Sequence, residues 1–137
     1  MKRQRREVRT ELRALISRPS GEVLIVRAAA GPDEPWDLPG GPAATPTPAE
    51  QRLRDLCRAR VGLELGALAG LPHFEYGCGA HAVRYICFRA ASEVDDALPL
   101  GYAELRWVRL TALRDYAFAP GLTAILAGHV DAGGQVP

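Results

Sequence analysis

The residues best suited to chemistry crowd into one short stretch. Between Pro48 and Gly62 stand Arg52, Arg54, Arg58 and Arg60, against only Glu50 and Asp55, for a net charge of +2. A guanidinium is planar, permanently charged and able to grip phosphate oxygens through two parallel N–H bonds. Arg54 or Arg58 is therefore a candidate for holding a phosphate directly. The plainer reading is a solvated helix face, because Glu50 and Arg54 stand at i,i+4 and Asp55 and Arg58 at i,i+3, the spacing of ordinary surface ion pairs. Just upstream, Trp36-Asp37-Leu38-Pro39-Gly40-Gly41 ends on two glycines, which a tight turn would require. Trp36 reads as a packing residue at a strand end, with lining of a base pocket as the alternative.

Other groupings carry less. His73, Cys78 and His81 could be drawn as a metal site, but their spacing matches no standard zinc pattern. A Gly-rich hairpin over 76–80 explains them better. Cys57, Cys78 and Cys87 are odd in number and scattered, so buried or inert thiols are expected rather than a disulfide framework. Phe74, Tyr76 and Tyr85 could stack on a base, although aromatic residues in strands usually pack in a core. Lys2, Arg3, Arg5, Arg6, Arg9 and Arg13 could touch phosphates; a frayed, solvated terminus accounts for them more simply.

These residues need elements to position them. From Glu7 to Ile16 the chain alternates, with Val8, Thr10, Leu12, Ala14 and Ile16 on one face, a strand period. Arg18-Pro19-Ser20-Gly21 is turn chemistry, and Glu22 to Val26 reads as a strand buried on both faces. Residues 29–48 form a long loop without periodicity. Thr47 is a plausible N-cap for a helix starting near Pro48. Ala49, Leu53, Leu56, Cys57 and Val61 share one face of that helix, and Gly62 ends it. Strands follow at Gly70 to Tyr76, His81 to Ala90 and Glu104 to Leu110, then a short helix from Pro120 to Val130.

A chain of 137 residues is long enough to bury one proper core. We expect a single domain over 1–137, with 1–6 a basic tail and 131–137 a flexible one. A net charge of +1 makes no case for nucleic acid or a membrane surface. No apolar run approaches the ~20 residues that span a bilayer, and no signal peptide is visible. A cytoplasmic location is expected.

The stretch from Trp36 to Leu63 resembles the box of the Nudix (MutT-like) hydrolase superfamily, G-x5-E-x7-R-E-U-x-E-E-x-G-U, where U is a bulky aliphatic. Leu38-Pro39-Gly40-Gly41 and the Gly62-Leu63 that closes the helix carry the likeness. The strand before them agrees, as do Glu104 to Val108, Leu113 to Pro120 and the final helix, so the resemblance covers roughly residues 5–130. It implies an α/β (α+β) fold, a Nudix-type α/β/α sandwich with a mixed β-sheet. In that family the Glu carboxylates bind magnesium, which bridges a pyrophosphate and activates water.

The carboxylates are the point of departure. Counted without a gap from Gly41, the first Glu becomes Thr47, the Arg-Glu pair becomes Asp55-Leu56 and the Glu-Glu pair becomes Ala59-Arg60. Shifting by one residue matches Arg54-Asp55-Leu56 to Arg-Glu-U and puts the Glu-Glu pair on Arg58-Ala59. Either way the acidic pair is missing.

The resemblance with a degenerate box implies a protein that binds a nucleotide or nucleoside-diphosphate-linked ligand, with magnesium-dependent pyrophosphohydrolysis lost or weak. Gly40, Gly41, Arg54, Arg58 and Trp36 would contact that ligand, with no metal or other cofactor. The first alternative is an active hydrolase with magnesium on a rearranged set, Asp55, Glu50 and Glu104. The second is a non-catalytic protein-interaction module. The expected partner is a small nucleotide-like molecule, with a homodimer left open.

Overall fold

A computed structural model of the chain describes residues 7–78, 81–93, 96–119, 121–123 and 126. The expected tails at 1–6 and 131–137 lie outside the described residues, as does most of the expected helix from Pro120 to Val130.

Strand β1 (Glu7–Ser17) is the spine. It runs parallel to β6 (His81–Ala91) along its whole length, from Glu7 opposite His81 to Ser17 opposite Ala91. Its other edge meets β3 (Gly40–Pro42) at Glu11 to Arg13, and β2 (Glu22–Arg27) at Ser17. Strand β7 (Glu104–Arg109) pairs antiparallel with β2. Strands β4 (Ala69–Gly70) and β5 (Phe74–Cys78) pair antiparallel with β6. The sheet is mixed, because only the β1–β6 pair among the described strands is parallel.

The two-residue period of the strands sorts side chains onto two faces. Leu12, Ala14 and Ile16 of β1 and Leu24 and Val26 of β2 pack with Leu53, Cys57 and Val61 of helix α1 (Ala49–Val61). On the opposite face Leu15, Val23 and Ile25 join Trp36, Tyr85, Leu113 and Leu122. Leu113 comes from a 3-10 helix over Leu110–Asp115, which no periodicity announced. β2 is buried on both faces, as its continuous apolar run requires.

Helix α1 buries Leu53, Leu56, Cys57 and Val61 and stops at Gly62, whose φ of 68° only glycine adopts freely. The cap differs from expectation. Pro48, not Thr47, is the N-cap residue, and its side chain has no oxygen with which to cap; Thr47 instead closes a turn on the Ala44 carbonyl. Two further expectations are corrected. The supposed loop over 29–48 contains β3, and the supposed strand from Gly70 to Tyr76 is broken between β4 and β5.

Candidate functional site

The glycine turn is fixed by β1. A Cβ on Gly40 would lie 1.9 Å from the Leu12 carbonyl oxygen, so the close approach of β3 to β1 admits glycine alone. The segment before it is held by Arg13, which donates from Nε to Asp37 Oδ1 at 2.9 Å and from Nη2 to Oδ2 at 3.3 Å. Its Nη1 donates to Glu11 Oε1 at 3.1 Å and to the Leu12 carbonyl at 2.9 Å. Burial opposes the charge on Arg13, but Asp37 and then Glu11 more than offset it, and the pKa is raised. Arg13 is thus a brace inside the sheet, not part of a solvated basic terminus. Asp37 Oδ1 also accepts the Leu38 amide at 2.7 Å, which sets the entry into Pro39 and Gly40.

Helix α1 meets this turn along one row of side chains. Arg52, Leu56 and Arg60 stand four residues apart, on one flank of the buried stripe. Arg52 Nε donates to the Pro42 carbonyl at 3.0 Å, and Arg60 Nη1 to the Gly40 carbonyl at 3.1 Å. A Cβ on Gly41 would lie 3.0 Å from Leu56 Cδ2 and 3.3 Å from the Arg60 guanidinium carbon. Tyr102 completes the ring. Its hydroxyl accepts the Gly40 amide at 3.0 Å and donates to the Gly40 carbonyl at 3.1 Å.

Arg54 and Arg58 lie on the other flank. Arg54 is half-buried and donates from Nη1 to the Leu65 carbonyl at 2.6 Å, which corrects the expectation that it faces solvent. Arg58 is exposed and paired with Glu64 and Asp55. The two guanidiniums therefore tie the helix to the segment that follows Gly62 and do not meet Gly40 or Gly41.

The carboxylates are not brought together. Asp55 accepts from Gln51 at 2.9 Å on the outer helix surface, Glu50 is exposed in the first turn, and Glu104 on β7 is paired with Arg27. No group of three or more His, Cys, Asp or Glu that could hold a metal occurs among the described residues.

Trp36 is 7% exposed, packed edge-on against Tyr116 and flanked by the guanidiniums of Arg27 at 4.4 Å and Arg106 at 5.2 Å. Arg27 Nε is buried without a hydrogen-bond partner; its guanidinium lies over the Trp36 ring instead. Tyr85 is buried and Tyr76 about half exposed. Tyr76 lines a shallow cavity of about 390 Å³ with Arg9, Gly77, His81, Ala82 and Val83.

Sequence reasoning passed over Arg60 and Tyr102. For Arg60 the signal existed, since it stands one helical turn beyond Leu56 on the same row. For Tyr102 there was none, because its partner is 62 residues away.

Sheet order, the helix after the glycine turn and the two-faced core together define a class: the chain has the Nudix fold, an α/β/α sandwich on a mixed sheet. It is similar to the E. coli ORF135 protein at 15% identity, covering 94% of this chain and 96% of that one with a TM-score of 0.77. It is similar to the MutT protein of Methanosarcina mazei Go1 at 20% identity, covering 95% and 98% with a TM-score of 0.76. The Nudix hydrolase RenU of M. smegmatis shares 24% identity over 96% and 88%, with a TM-score of 0.67. No family model matches the chain, and no curated protein does. No helix among the described residues is long and apolar enough to cross a membrane.

Proposed function

We propose that this protein binds a nucleotide or another nucleoside-diphosphate-linked ligand, and that magnesium-dependent pyrophosphohydrolysis is lost or weak. The observation that carries the reading is the pair Leu56 and Arg60 on the helix row facing the glycine turn. Counted without a gap, these are the places of the second residue of the Arg-Glu pair and the second of the Glu-Glu pair in the Nudix box. Magnesium would be the metal of an active Nudix enzyme, and the donors here do not fit it. It demands near-octahedral oxygen ligands, whereas the turn offers one carbonyl already shared by a phenol and a guanidinium. A dication about 4 Å from a guanidinium is opposed by several kcal/mol even at an effective dielectric of about 20. A rearranged set of Asp55, Glu50 and Glu104 gains no support, since each of the two paired carboxylates serves a different part of the surface.

The test is a thermal-shift screen of nucleotides and nucleotide sugars, in magnesium and in chelator, with phosphate release measured in parallel. A ligand at a hundred times its Kd adds about 2.7 kcal/mol of stability, which is easily seen. Shifts that survive chelator without turnover support the reading. Rapid magnesium-dependent hydrolysis, or no shift from any compound, would sink it.

A further inference from the structure

Arg52 and Arg60 place two guanidiniums over the same three-residue strand. Their acceptors, the Pro42 and Gly40 carbonyls, are alternate groups on one edge of β3, on the order of 7 Å apart along a strand. Each bond uses one N–H. Among the described residues Arg60 keeps Nε and Nη2 unengaged, and Arg52 keeps both Nη groups. A side chain at position 41 or 101 would crowd Arg60. Gly41 lies beneath the Arg60 guanidinium, and a Cβ on Gly101 would lie 2.9 Å from Arg60 Cγ. Gly101 also donates its amide to the Arg60 carbonyl at 3.0 Å, so the arginine is clasped between two glycines with its charged head at the turn. Neither guanidinium has a carboxylate partner among the described residues, unlike Arg13, Arg27 and Arg58.

We infer that Arg60 is a resident cation, and that Arg60 and Arg52 together hold the two phosphoryl groups of a diphosphate without metal. The inference deepens the proposed function and rests on it. It replaces Arg54 and Arg58 as the phosphate contacts, because those two are spent on Leu65 and Glu64. The part-buried bond to the Gly40 carbonyl orients the Arg60 fork in advance, which lowers the side-chain entropy lost when the anion arrives.

Titration calorimetry with inorganic pyrophosphate in the presence of chelator tests it. The wild type should show saturable binding at fixed ionic strength. Arg60→Gln should bind about 10- to 100-fold more weakly, as expected for loss of a charge-assisted hydrogen bond, and Arg52→Gln should be weakened in the same direction. Arg54→Gln and Arg58→Gln should match the wild type. Arg60→Lys serves as a second variant, keeping charge and stem while losing the fork, and it should lie between wild type and Arg60→Gln. Absence of pyrophosphate binding to the wild type, or equal affinity in Arg60→Gln and Arg60→Lys and the wild type, overturns the inference. If nucleotides still shift the melting temperature in that case, the proposed function stands without this anchor; if they do not, both fall.

Discussion

Arg60 reaches across from α1 to donate to the Gly40 carbonyl at 3.1 Å, which puts a fixed positive charge at the turn that a Nudix box surrounds with carboxylates. Reversing that charge should reverse the ion preference. A Leu56→Glu, Arg60→Glu double variant sets two carboxylates at i,i+4 beside the Gly40 carbonyl, and it should bind manganese more tightly than the wild type. Titration calorimetry with manganese measures this. No gain in a variant that still melts cooperatively would mean that the row is wrongly assigned.

Gly40 leaves no space for a side chain. Because its Cβ would meet backbone at 1.9 Å, Gly40→Ala must separate β3 from β1. We expect a loss of at least about 2–3 kcal/mol, the upper range for overpacking, read as a lower urea midpoint. A near-neutral substitution would show that the turn is looser than its geometry implies.

The Arg13 brace makes a different prediction. Arg13→Gln leaves Glu11 and Asp37 without their shared cation at a site where Arg13 and Glu11 side chains are each only 10% exposed. Removing one partner of a buried ion pair costs about 3–5 kcal/mol. The lower end is expected here, because the Asp37 side chain is 29% exposed and partly solvated. Chemical denaturation decides it, and a cost below about 1 kcal/mol would make the network ornamental.

Helix rotation is checked by a pair of substitutions. Leu56 is 5% exposed, so Leu56→Ala should cost about 2–5 kcal/mol. Arg58→Gln removes only solvent-screened contacts and should change stability by about 1 kcal/mol or less. The opposite order would turn the helix by half a turn and move Arg60 away from Gly40.

Two thiols should be silent. Burial pushes Cys57 up to about 12, and burial, opposed by the Arg13 charge and aided by Asp37, pushes Cys87 up to about 11. Since the thiolate is the nucleophile, both remain protonated and unreactive at pH 8. In a Cys78→Ser background a disulfide-exchange reagent should find no fast phase in the native protein and two thiols in urea. A fast native phase would contradict the packing around α1 or β6.

The sequence by itself determined the elements whose signal is local. The period-two alternation of β1, the unbroken apolar run of β2, the helical stripe from Leu53 to Val61 and its stop at Gly62 were all readable, because each depends on residues within one or two turns. The glycine turn was readable for the same reason, and the Nudix-like order through the resemblance that Leu38-Pro39-Gly40-Gly41 and Gly62-Leu63 carry. Tertiary structure decided what local signals cannot carry. β3 is three residues whose only claim to be a strand is the edge of β1 beside it. Arg13 looked like one more cation in a basic terminus until the fold brought Asp37 to it across 24 residues. Four arginines on one helix are alike in sequence. Only the packing of α1 against β3 on one flank and the 62–66 segment on the other assigns Arg52 and Arg60 to the glycine turn, and Arg54 and Arg58 to Leu65 and Glu64. A guanidinium goes where an acceptor lies within reach of its stem, and the acceptor is set by the fold.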